Sequence, residues 1–139
     1  MQHILDDANV VAQRDPQGAL GFAASQPEQL KYDFRVSGQK PFSKEVKNIV
    51  FAGMGGSSLV AELAKTWPEI SVPFVVSKTY TLPDFVDEGT LVICASASGN
   101  TEETLESLKH AEEKGAMIAI VAHGGKLVDR AKAGNYLLV

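Results

Sequence analysis

From Asn48 onward the apolar residues gather into short continuous runs. They are Ile49-Val50-Phe51-Ala52, Pro73 to Val76, Leu91-Val92-Ile93-Cys94-Ala95, Met117 to Val121 and Tyr136-Leu137-Leu138-Val139. The runs begin about 20 residues apart, the spacing of short strand–helix units. A strand that is apolar at every position, rather than at alternate ones, is buried on both faces, as in a parallel sheet covered by helices. The pattern therefore predicts strands near 48–53, 72–77, 90–95, 116–122 and 136–139 in a doubly wound α/β fold. A five-stranded parallel sheet of order 2-1-3-4-5, flavodoxin-like and joined by right-handed crossovers, accommodates them.

The intervening segments carry helical periodicity. Ser58 to Trp67 sets Leu59, Val60, Leu63, Ala64 and Trp67 on one face, with Pro68 as a stop. Thr101 to Lys114 sets Leu105, Leu108 and Ala111 on one face, with Asn100 as its cap, Glu103 at N3 and Gly115 just past its end. Lys126 to Lys132 makes a further short helix. The stretch from Thr79 to Gly89, with Pro83, is mostly loop. Residues 1–47 form a helical N-terminal extension to the domain at 48–139: Ala8 to Ser25 predicts one or two short helices broken near Pro16. Pro27 opens another short helix through Leu30 and Tyr32, and Ser37 to Pro41 is a loop.

Composition narrows the classes. At 139 residues, 45% hydrophobic and 22% charged, the chain suits one ordinary globular domain. A net charge of −4 and a pI near 5.3 give no basic footprint for nucleic acid. The single Cys94 lies within an apolar run, where it serves as a small hydrophobe and fits a reducing compartment. The polar start of the chain and its short apolar runs predict neither a signal peptide nor a membrane span, hence a cytoplasmic location. No His/Cys/Asp cluster has metal-ligand spacing, so neither metal nor cofactor is expected.

Two loops carry the candidate chemistry. Gly53-Met54-Gly55-Gly56-Ser57-Ser58 follows the first strand and Ser96-Ala97-Ser98-Gly99-Asn100-Thr101 the third, and each opens a helix. Helix N-termini present unpaired N–H groups and a positive dipole end, glycines allow close approach, and hydroxyls add neutral donors. In the order 2-1-3-4-5 the switch point lies between strands one and three, the two that carry these loops. Two such loops suggest a phosphorylated ligand held between them. A dinucleotide is disfavoured, because Ser58 occupies the third glycine position and Val76-Ser77-Lys78 offers no ribose-binding acid. Gly124-Gly125-Lys126 resembles the end of a P-loop, but Leu127 stands where Ser or Thr is needed.

Together Gly53 to Ser57, Ser96-x-Ser98-Gly99-Asn100-Thr101-Glu102-Glu103-Thr104-Leu105 and Gly124 to Leu127 resemble the sugar isomerase (SIS) domain. More narrowly, they resemble the N-terminal half of bifunctional phosphoglucose/phosphomannose isomerases. The resemblance implies phosphate binding by Gly56, Ser57, Ser96, Ser98 and Thr101, assisted by the N–H groups of Gly99 and Asn100. It implies an enzyme that interconverts glucose 6-phosphate or mannose 6-phosphate with fructose 6-phosphate through a cis-enediol(ate). The base and acid would come from a second SIS domain and an arginine from just after the fifth strand, so these 139 residues alone would be inactive. Partners are then a small-molecule sugar phosphate, that second domain and a possible homodimer, with no nucleic acid and no membrane. Ala97 stands where Tyr is frequent in this branch and His123 where a small hydroxyl residue is usual.

Among residues present, Glu102 and Glu103 suit the first turn of a helix on dipole grounds. His123, at the end of the fourth strand, is the one histidine offered as a weak catalytic candidate; His3 and His110 are surface positions. A second possibility is a non-catalytic SIS module that senses a sugar phosphate in a regulator of carbohydrate metabolism, and a third a purely structural dimerisation domain.

Overall fold

The computed structural model describes residues 6–33, 35–38, 42, 44–66 and 70–139. The expectations placed on His3, Trp67, Pro68 and residues 39–41 lie outside them. The chain divides into two compact units, Met1–Phe34 and Arg35–Val139.

The first unit holds α1 (Ala8–Arg14), α2 (Ala19–Ser25) and a 3₁₀ helix over Gln26–Lys31, with Pro27 in its first turn. The Asp7 carboxylate caps α1 by accepting from Asn9 N–H at 2.9 Å. Pro16 falls between α1 and α2, where Asp15 accepts from the N–H groups of Ala19 and Leu20 at 2.7 and 2.9 Å. These backbone bonds, with Leu20 first, hold the Asp15 carboxyl below its usual range.

The second unit is a five-stranded parallel sheet, β1 (Asn48–Gly53), β2 (Phe74–Ser77), β3 (Thr90–Ser96), β4 (Met117–Ala122) and β5 (Leu137–Leu138), in the order β2-β1-β3-β4-β5. Between them run α3 (Gly56–Ala64), α4 (Glu102–Glu113) and α5 (Gly125–Gly134). The stretch from β2 to β3 is loop, as its composition predicts. The outer edge of β5 is covered rather than left open: Ser37 and Leu138 exchange two N–H···O bonds of 2.8 Å in an antiparallel bridge.

Apolar runs become buried strands because both faces are used. Val50, Ala52, Val92, Cys94, Ile118 and Ile120 pack with Leu108 and Ala111 of α4 and Leu127 and Ala131 of α5. Phe51 and Ala95 pack on the other face with Ala61 of α3, flanked by Phe74, Val76 and Ile93. Burial pushes the Cys94 thiol up to about 12, with the Glu112 charge a smaller cause.

Two helices depart from the predicted detail. The first, α3, begins at Gly56 rather than Ser58 and turns Ser58 and Ala61 inward, 2% and 1% exposed, while Leu59, Val60 and Leu63 stand 66%, 67% and 63% exposed. Ala61 packs there against Phe51 and Ala95, flanked by Phe74, so the small residues of the helix are the ones seated on the sheet. In the second, α4, Thr101 rather than Asn100 is the cap, and it makes no side-chain cap bond. Gly115 follows α4 with φ +66°, the expected left-handed terminus. His110 is half-buried on α4 rather than open at the surface.

Candidate anion site at the ends of β1 and β3

Parallel register sets the geometry. Ala52 pairs with Cys94 and Gly53 with Ala95, so the loops after β1 and β3 leave the sheet side by side at one level. Neighbouring strands lie about 4.8 Å apart, so the two loops start from adjacent points of the sheet, with α3 and α4 leaving on its opposite faces. A Cβ on Gly53 would come 3.0 Å from the Ala95 carbonyl oxygen, a tight approach at this level of the pair.

In the first loop, the N–H groups of Ser57 and Ser58 donate to the carbonyls of Met54 and Gly55 at 3.1 and 3.2 Å. The Ser58 hydroxyl is buried and donates to the Gly55 carbonyl at 2.8 Å, so it braces the turn. Ser57 is half-buried and Gly56 exposed, and among the described residues the Ser57 hydroxyl has no hydrogen bond. Gly56 and Ser57 are therefore the donors of this loop that remain open to a ligand.

In the second loop the hydroxyls converge. The Ser96 Oγ lies 2.8 Å from Thr101 Oγ1 and 3.4 Å from Ser98 Oγ. The Gly99 N–H donates to Ser96 Oγ at 3.2 Å and the Asn100 N–H to Ser98 Oγ at 3.2 Å. Ser96 is buried, Thr101 half-buried and Ser98 exposed, which grades the cluster from floor to rim. Thus Ser96, Ser98, Gly99, Asn100 and Thr101 form one hydrogen-bonded cluster. The Gly99 and Asn100 N–H groups are satisfied inside it.

The Asn100 side chain does something its neighbours in sequence do not disclose. Its Oδ1 accepts from the Lys126 N–H at 3.2 Å and its Nδ2 donates to the Ser98 carbonyl at 3.0 Å. The partner lies 26 residues away in the first turn of α5. The glycine pair Gly124-Gly125 was the only sequence signal for that contact.

Other candidates sit around this cluster. Glu102 and Glu103 occupy the first turn of α4, where the dipole favours carboxylates. Tyr80, on the β2–β3 loop, has its phenol pushed up chiefly by the Glu103 charge, then by burial and by Glu102. That loop is tied to α4 where the Ser107 hydroxyl donates to the Thr79 carbonyl at 3.4 Å. His123 follows β4, whose last residue Ala122 pairs with Ser96, so it leaves the same end of the sheet. It is exposed and makes no hydrogen bond to the serine loops among the described residues. Among the described residues, no three His, Cys, Asp or Glu side chains are grouped to hold a metal, and no helix is long and apolar enough to cross a membrane.

A cradle of neutral hydroxyls and amides at two helix N-termini can bind a tetrahedral anion by charge-assisted hydrogen bonds.

Comparison with known proteins places this geometry in context. The SIS domain model matches residues 44–135. The chain is 47% identical over 89 residues to the bifunctional phosphoglucose/phosphomannose isomerase of Aquifex aeolicus, covering 62% of this chain and 28% of that protein. It is 37% identical over 117 residues to the protein of the same name from Caldicellulosiruptor bescii, covering 79% and 34%. The chain therefore spans about a third of the length of these relatives. Its fold is similar to that of the tagatose-6-phosphate ketose/aldose isomerase of Escherichia coli, with a TM-score of 0.58 at 17% identity over 91% of this chain and 34% of that one.

Proposed function

This chain belongs to the SIS domain family, and we propose that it is the sugar-phosphate-binding domain of an aldose–ketose isomerase. The reaction we assign interconverts glucose 6-phosphate, and mannose 6-phosphate, with fructose 6-phosphate, which is chemistry of glycolysis and gluconeogenesis. The observation that carries this reading is the side-by-side placement of Gly56-Ser57 and the Ser96–Ser98–Thr101 hydroxyl cluster at the ends of β1 and β3. The names of the relatives support the substrate, since both isomerases act on phosphorylated hexoses.

In this reading the phosphate is the handle. Ser57, Ser96, Ser98 and Thr101 donate to its oxygens, with the N–H groups of Gly56, Gly99 and Asn100 near by. The sugar carbons extend outward from the loops. Transfer of a proton between C1 and C2 through an enediol(ate) needs a positioned base, and ring opening needs an acid. We assign both to a second SIS domain, which closes the cleft from the other side. The exposed Leu59, Val60 and Leu63 of α3 support a partner there, because large aliphatic side chains in one contiguous patch are characteristic of a covered surface. A cytoplasmic setting suits such a substrate.

The test is a calorimetric titration of the chain with glucose 6-phosphate, mannose 6-phosphate and fructose 6-phosphate, together with a coupled isomerase assay on the two-domain protein. Saturable binding of all three, competed by inorganic phosphate, is expected. A chain that ignores hexose 6-phosphates, or a two-domain protein that binds them without turnover, would overturn the isomerase assignment. The latter would favour a sensor.

A further inference from the structure

We infer that Asn100 is a positioning residue that locks the phosphate loop to the first turn of α5, and that phosphate affinity depends on this lock. The inference rests on the sugar-phosphate reading above.

The lock is built from both sides. The Lys126 N–H donates to Asn100 Oδ1 at 3.2 Å, and the Leu127 N–H donates to the Gly99 carbonyl at 3.0 Å. The Asn100 Nδ2 donates to the Ser98 carbonyl at 3.0 Å. The backbones touch directly: a Cβ on Gly99 would lie 1.7 Å from the Gly124 carbonyl oxygen. One on Gly125 would lie 2.5 Å from the Ser98 carbonyl oxygen and 2.7 Å from Asn100 Nδ2. Both glycines have left-handed backbone, φ +66° and +70°, so no other residue fits either position.

Two consequences follow. The Lys126 and Leu127 N–H groups of α5 are spent on the Ser98–Gly99–Asn100 turn, so the start of that helix acts as a brace. Ser98 is exposed, and its hydroxyl is fixed through the turn that Asn100 holds. Donors held in place before the ligand arrives bind it more tightly than donors that must be ordered on binding. Both polar atoms of the Asn100 side chain are engaged with protein, which marks it as a holder of donors.

The test is a double-mutant cycle on the full chain, with inorganic phosphate and glucose 6-phosphate as probes in calorimetry. Asn100→Ala removes the acceptor. Lys126→Pro removes the N–H in the first turn of a helix, where proline is tolerated, and Lys126→Ala is its reference for the lost side chain. Each disruption is expected to weaken phosphate binding about tenfold or more, and the double variant to be no weaker than either single one, because both break one bond. Additive losses, or unchanged affinity in Asn100→Ala, would overturn the lock. A wild-type chain that binds neither probe would overturn the phosphate reading itself. Amide exchange on the wild-type chain gives a readout independent of the variants. Protection of Lys126 and Leu127 before phosphate is added is expected, and protection appearing only with phosphate would overturn a preformed lock.

Discussion

The hydroxyls of Ser96 and Thr101 stand 2.8 Å apart, joining the last residue of β3 to the residue that starts α4. Thr101 caps α4 through its backbone position alone, and neither hydroxyl makes a side-chain cap bond, so both can turn their protons to an anion without any change in the backbone. Replacing Ser98 and Thr101 together by Ala should weaken sugar-phosphate binding by about 1.5–3 kcal/mol for each charge-assisted bond lost. Titration calorimetry checks this, and equal affinity in the double variant would remove the cluster from the site.

His123 leaves the sheet at the strand end beside Ser96 and is exposed. If it reaches the sugar and not the phosphate, His123→Ala will lower affinity for fructose 6-phosphate more than for inorganic phosphate. Equal effects on the two ligands would return it to an ordinary surface position.

The reading assigns the proton-transfer groups to a second domain. Positioned acid–base catalysis contributes about 10²–10⁴-fold per group, so these 139 residues expressed alone should bind hexose phosphates and turn them over at near background rate. Supplying the second domain should restore glucose 6-phosphate isomerisation. Robust turnover by the 139-residue chain would refute this and direct mutagenesis to His123 and Glu102.

Cys94 is fully buried at the centre of the sheet, with its thiol pushed up to about 12 by burial and then by the Glu112 charge. At pH 8 it should react with a thiol reagent only through opening of the fold, and saturating phosphate should slow that reaction. A rapid burst of labelling in the native chain would contradict the buried thiol.

The Tyr136 hydroxyl donates to Glu112 Oε1 at 3.0 Å, and Glu112 also pairs with Arg130. Burial raises the Tyr136 phenol above 10.0, and the bond and charge of Glu112 raise it further. A group raised on folding stabilises the protein in its protonated form. This contribution is therefore complete below pH 10 and is lost as pH rises through the raised value. Tyr136→Phe should be less stable than wild type at pH 8, with the gap narrowing above pH 10. Thermal denaturation across pH 7–11 measures it, and a gap that widens with pH would reverse the sign.

Much of the candidate site could be read along the chain because its parts are local. Glycine and serine at the ends of apolar runs specify a turn and a helix start within six residues, and parallel alternation brings the ends of β1 and β3 together. The capping role given to Asn100 was also a local inference, and it failed because its amide finds Lys126 across the fold. No short window of sequence contains both partners.

The same distinction governs α3. Spacing alone determined that Leu59, Val60 and Leu63 share one side of a helix, since their placement depends only on 3.6 residues per turn. Which side meets the sheet was decided by tertiary packing, because Ala61 seats against Phe51 and Ala95 while Ser58 turns inward to the Gly55 carbonyl. The sequence by itself thus determined the elements, their order and the chemistry of the two loops, all products of short-range sterics and hydrogen bonding. The tertiary structure decided which helix face is left outward and which distant backbone holds the Ser98–Asn100 turn, because both depend on contacts and donors supplied by segments far away along the chain.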